Sequence, residues 1–274
     1  MIDCLKHFVF NTTNVPLTCK TLYKNFRKYN FDDIAKHIIK YKGYFNYDYY
    51  KTLTKNIKHI QRCSDVFNIH SSCLNIGNKE IDQISLFGLE NLTSICLNNM
   101  YIDTIIFPRN GLSNLKEITI VYSDLPSIDL STSSFENVTS LIIIANTLSN
   151  LVLGSGFKNL IELDLSDNDF NVLDLTNNNF NKLEKFNISH NKQLSIIKFA
   201  NNSFNSLESF FADNLYMDQL YFPENSFNKL EELHIFSGKI NKFIIPKNSF
   251  MNLNYLNVKH CTFSINIKGV LIDV

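Results

Sequence analysis

From about residue 74 onward, apolar positions recur in a fixed order that repeats roughly every 23 residues. Aligned on a leading Leu or Phe, the units begin at Leu89, Leu112, Phe135, Phe157, Phe180, Phe204, Phe227 and Phe250. The first half of each follows LxxLxLxxNxL, most cleanly in Leu160-Leu163-Leu165-Asn168-Phe170. Leu183-Phe186-Ile188-Asn191-Leu194 and Leu253-Leu256-Val258-Cys261-Phe263 follow it closely. The LxL core has period two, so it predicts a short strand with both apolar residues inward and the middle one outward. A second LxL-like arm follows in each unit: Ile105-Phe107, Ile128-Leu130, Leu151-Leu153, Leu173-Leu175, Ile197-Phe199, Leu220-Phe222 and Phe243-Ile245. Asn, Ser, Pro or Gly after most of these arms turn the chain. Each coil is therefore expected to carry two strands on opposite sides of a flattened tube, with the recurrent Phe stacked inside. The Asn of the first half would serve backbone groups in the adjoining turn, where no strand ladder exists. Ser123 and Gly238 replace it in two coils, and Met100 and Leu215 remove its polarity altogether.

This signature resembles the leucine-rich repeats, and the periodic Phe with Phe107-Pro108, Phe222-Pro223 and Ile245-Pro246 is similar to their BspA-like branch. The Cys usual in that branch is missing. The resemblance implies an α+β repeat solenoid. It would be a right-handed superhelix of about 8–9 coils with a parallel β-sheet on its concave face and short second strands on the other. It covers residues 71–274, starting from a degenerate unit at Leu74-Ile76, Ile81 and Ile84-Leu86. At the far end Ile265, Ile267, Val270 and Ile272 depart from the spacing, and an added strand is expected to cap the array there.

Residues 1–70 lack the repeat. Leu22-Tyr23-Phe26-Tyr29 and Ile34-Ile38-Ile39 have helical spacing, and Asp32 and Asp33 suit a helix N-terminus, so two to four short helices are expected between Ile2 and about Ile60. Two readings stand. The helices form a cap on the first coil, or they belong to a degenerate F-box. The run Val15-Pro16-Leu17-Thr18-Cys19-Lys20-Thr21-Leu22-Tyr23-Lys24-Asn25-Phe26 resembles the later part of that motif, although its usual opening Leu-Pro is absent. The F-box resemblance implies docking on a Skp-type adaptor, with the repeats selecting a target for ubiquitin ligation.

Composition narrows the function. The 26 basic and 26 acidic residues cancel, which removes the electrostatic footprint of a nucleic-acid binder. No stretch approaches a membrane span, and Asp3, Lys6 and His7 break up the only apolar run near the start. The six cysteines (Cys4, Cys19, Cys63, Cys73, Cys96 and Cys261) include no CxxC pair, so neither a zinc site nor a disulfide framework is indicated. A reduced, cytoplasmic monomer is expected. Asn-x-Ser/Thr triplets at Asn11, Asn91, Asn137, Asn187 and Asn201 are no more than so Asn-rich a chain produces by chance.

No nucleophile elbow, P-loop, HExxH or dinucleotide fingerprint occurs, so no catalytic residue and no cofactor are assigned and an enzyme is not expected. Asp164, Asp167, Asp169 and Asp174 read as solvated turn residues rather than a cation site. His190, His234 and His260 fall in different coils without a metal-ligand spacing. A partner is instead expected on the outward residues of the first strands. Most of these are polar, and two groups break that rule. Val121, Ile142 and Ile144 form one, and Phe211, His234, Phe236 and Tyr255 form the other. Exposed apolar and aromatic groups on adjacent strands mark interaction sites. The expected function is thus a protein-interaction scaffold, with the ubiquitin-ligase substrate receptor as the alternative.

Overall fold

The computed structural model describes residues 72–273 except 87, 88, 90, 110, 111, 132–134, 246–248, 259–261, 268 and 269. The helices expected in the first seventy residues and the F-box-like segment lie outside the described residues, as do His260 and Cys261. Among the described residues the chain forms strands and turns and no helix.

Nine strands form one parallel sheet in chain order: β1 (Cys73–Ser85), β2 (Ser94–Ile106), β3 (Glu117–Val121), β5 (Ser140–Ile144), β7 (Glu162–Asp164), β9 (Lys185–Asn187), β11 (Ser209–Phe211), β13 (Glu232–His234) and β15 (Tyr255–Asn257). Between them the second arms form β4 (Ser127–Leu130), β6 (Asn150–Leu153), β8 (Val172–Asp174), β10 (Ile196–Lys198), β12 (Tyr216–Tyr221) and β14 (Lys239–Ile245), and β16 (Thr262–Ile267) and β17 (Val270–Asp273) follow β15. They pair as β4–β6, β8–β10 and β12–β14–β16–β17. The molecule is a parallel β-solenoid of stacked coils, and one continuous hydrophobic core lies between its two walls.

Alternation builds that core. Ile118 and Ile120 are fully buried on either side of half-buried Thr119, and Leu163 and Leu165 flank Asp164 in the same way. The second arms contribute Ile128, Leu130, Leu173, Leu175, Leu220 and Phe222 from the facing side. Phe135 and Phe157 stack with ring centroids 4.9 Å apart, and Phe204 and Phe227 with centroids 5.1 Å apart, so the Phe positions form an interior spine. Such pairs add to the stabilisation from burial alone.

After β3, β5, β7, β9, β11 and β13 the chain turns through one residue in the left-handed region (Tyr122, Ala145, Asp167, His190, Asn214 and Ser237), and Asn78 and Asn99 take the same conformation within β1 and β2, with φ between 51° and 63°. Asn, Asp and His take this conformation at little cost, whereas Ala145 and Tyr122 are strained in it. Replacing Ala145 with Gly keeps its N–H bond to the Ser166 carbonyl (3.2 Å) and relieves the strain. Thermal unfolding should show stabilisation of about 0.5–1 kcal/mol. Unchanged or lowered stability would mean that this corner carries no strain.

The residue after each corner is the Asn position. Asn146 Nδ2 donates to the carbonyls of Ile120 (3.0 Å) and Ile144 (2.9 Å), and its Oδ1 accepts from Ser123 N at 2.8 Å. Asn168 Nδ2 donates to the Ile143, Leu165 and Ser166 carbonyls. Asn191 repeats the arrangement on Leu165, Ile188 and Ser189. In the coil before Asn146, Ser123 stands in: its Oγ accepts from Met100 N and donates to the Val121 carbonyl. Where Met or Leu occupies the position, the backbone itself makes the bonds. β2 runs through Met100, paired with Lys79 of β1, and both strands reach 13 residues. β12 starts directly after Leu215, and Lys239 N donates to the Leu215 carbonyl at 2.8 Å. The coils close in so tightly there that a Cβ on Gly238 would come within 2.9 Å of the Leu215 oxygen, which explains the Gly. Polar side chain and longer ladder are thus alternative ways to satisfy the same buried groups.

At the C-terminal end β17 pairs antiparallel with β16, at the edge of the second-arm sheet. The last inward position of the nine-stranded sheet, Leu256, is 48% exposed.

Candidate partner-binding face

The register of the nine-stranded sheet aligns its outward residues in columns. One contains Ser94, Glu117, Ser140, Glu162, Lys185, Ser209, Glu232 and Tyr255. The next contains Cys96, Thr119, Ile142, Asp164, Asn187, Phe211, His234 and Asn257. Val121 pairs with Ile144 in a third, which backbone bonds continue past the strand ends to Ser166, Ser189, Asp213 and Phe236.

Phe211 and His234 are neighbours in the second column, and their rings stack with centroids 4.5 Å apart and planes 26° apart. Tyr255 lies one column over on the next strand, its ring centroid 5.0 Å from that of His234. Three adjacent strands therefore carry a continuous stack of rings on the outer wall. Phe211 and His234 are half-buried by their neighbours, and Tyr255 is 50% exposed. His234 Nε2 is 3.9 Å from Glu232 Oε2, which also accepts from Ser209 Oγ at 3.4 Å. Phe236 is 36% exposed in the third column, and its N–H donates to Asp213 Oδ1. Val121, Ile142 and Ile144 lie together on β3 and β5, each half-buried.

The four aspartates do not converge. Asp164 is outward on β7, where its Oδ1 accepts from Ser166 N (2.9 Å) and Ser166 Oγ (2.6 Å) and its Oδ2 from Asn187 Nδ2 (3.0 Å). Asp174 ends β8 in the other wall. Hydrogen bonds from the Thr176 hydroxyl and N–H, with a smaller contribution from Lys198, hold its carboxyl below the usual range. His190 Nδ1 lies 3.2 Å from Asn214 Nδ2 at the corner. Among the described residues no three His, Cys, Asp or Glu side chains are placed to share a metal ion. No helix among them is long and apolar enough to cross a membrane.

One feature of this wall has no counterpart in the sequence expectations. Glu184, Glu208 and Glu231 immediately precede β9, β11 and β13, and all three are exposed. Backbone bonds of 2.8 Å link Glu208 N to the Glu184 carbonyl and Glu231 N to the Glu208 carbonyl, so the three form one row beside the rings. The signal was present in the recurring Leu-Glu pairs Leu183-Glu184, Leu207-Glu208 and Leu230-Glu231, which singly read as ordinary solvated positions.

No known protein family and no curated protein matches the chain.

Proposed function

We propose that this is a leucine-rich-repeat interaction scaffold that holds a protein partner on its nine-stranded wall and carries out no chemistry of its own. The stack of Phe211, His234 and Tyr255 across three adjacent strands carries this reading. Aromatic rings presented by a rigid sheet lose little conformational freedom on binding and supply the anchors that dominate interface energetics. Phe236 extends the anchor along the third column, and Val121, Ile142 and Ile144 form a second apolar contact several coils away. The leucine-rich-repeat assignment is supported by the paired inward columns and by the Asn146, Asn168 and Asn191 amides on buried carbonyls.

Affinity capture with the tagged full-length protein tests the reading. Replacing Phe211 and Phe236 together with Ser should weaken partner binding by about 1,000-fold, since aromatic anchors are each worth roughly 2 kcal/mol. The melting transition should stay in place. Equal recovery by the variant and the unaltered protein would remove the aromatic group from the binding site.

A further inference from the structure

The wall around the rings carries an excess of negative charge. Glu184, Glu208 and Glu231 stand one above another in adjacent coils, about 4.8 Å apart per step, with no residue of opposite charge interposed in their row. Like charges in neighbouring positions of a sheet are unfavourable. Glu232, in the next column, lies near His234. The chain as a whole is balanced at 26 basic and 26 acidic residues, so this local excess does not follow from composition. Lys158 pairs with Glu136 and Lys198 with Asp174 in the other wall, and Lys182 Nζ donates to Asn159 Oδ1 rather than to a glutamate of the row. Among the described residues, Glu184, Glu208 and Glu231 have no ion pair, and Lys185, opposite Ser209, is the one cation in this stretch of the outward columns.

Two chemistries therefore lie side by side: a row of unneutralised carboxylates and a stack of aromatic faces. Both attract the same group. A guanidinium or ammonium is drawn to the negative face of an aromatic ring, and carboxylates pair with it directly. An apolar partner would desolvate the glutamates without compensation, and an acidic protein or a nucleic acid would meet repulsion. We propose that the wall takes an extended, Lys/Arg-bearing segment of its partner, laid along the ring stack with its cations directed to the glutamate row. This rests on the reading of the wall as a protein-binding face and names the chemistry of what it binds.

The probe is fluorescein-labelled octa-arginine, titrated with the full-length protein in about 150 mM salt and followed by fluorescence anisotropy. Saturable binding is expected, with none for labelled octa-glutamate. The Glu208→Gln/Glu231→Gln and Phe211→Ala/Tyr255→Ala variants should each bind about tenfold more weakly. Glu136→Gln/Glu224→Gln removes the same charge elsewhere and should bind within about twofold of the unaltered protein. The absence of saturable octa-arginine binding, an equal loss in the Glu136/Glu224 control, or full binding by the glutamine pair would each overturn the proposal. So would full binding by the alanine pair. Should that pair fail to fold, the isosteric glutamine pair decides alone. If octa-arginine does not bind while partner capture still depends on Phe211 and Phe236, the wall is a protein-binding face whose partner is not basic.

Discussion

Replacing Phe210 with Ala is expected to destabilise the protein by about 4 kcal/mol, the cost of deleting a buried aromatic ring and leaving a cavity. Phe210 is the central residue of β11 and is fully buried. Its ring meets Phe186 at 5.3 Å, Phe222 edge-on at 5.8 Å, Phe199 at 6.3 Å and Phe227 at 6.4 Å, so it joins three successive coils and both walls. A solenoid coil touches little besides its two neighbours, and a cavity there cannot be relieved from elsewhere. Urea unfolding followed by circular dichroism should show the midpoint lowered by about 1 M or more. A shift of a few tenths would mean that the ring does not bridge the coils.

The second large effect is expected at Asn191. Its amide nitrogen donates to the carbonyls of Leu165 (2.9 Å), Ile188 (2.8 Å) and Ser189 (3.4 Å), and the side chain is fully buried. Asn191→Ala strands those acceptors away from water, and the loss should be about 3 kcal/mol. The neighbouring strands are three residues long, so no extended ladder is present to take over as it does at Met100 and Leu215. Asn191→Ser should cost less, because the Ser123 hydroxyl already fills the equivalent position while bonding both the preceding coil and its own. Chemical denaturation of the two variants gives the order directly. An Ala variant as stable as the Ser variant would contradict it.

Periodicity carried the solenoid, because each inward residue is named by its own spacing: Ile118 and Ile120, Leu163 and Leu165, and the second arms from Ile128 to Phe222 lie where the repeat places them. The work of the ladder side chains was also legible, since an Asn between two apolar stretches has no other buried partner than backbone. What escaped depends on contacts between coils. The strand lengths of β1 and β2 follow from how Lys79 and Met100 meet, and neither residue announces that alone. The left-handed corner falls on Asn, Tyr, Ala, Asp, His and Ser alike, because neighbouring coils impose it whatever the local preference. The glutamate row became visible only when register placed Glu184, Glu208 and Glu231 in one line. The aromatic residues were named from the sequence one by one, whereas the contact of Phe211 with His234, and of His234 with Tyr255, is a product of the sheet.

Phe210 and Phe211 are consecutive in the chain, chemically identical, and directed to opposite sides of one strand. Urea unfolding of Phe210→Ala beside Phe211→Ala measures that opposition with everything else held constant. The stacked-coil architecture predicts a loss of about 4 kcal/mol for the first and under about 1 kcal/mol for the second. Equal losses, or the reverse order, would mean that the inner and outer walls have been assigned to the wrong residues.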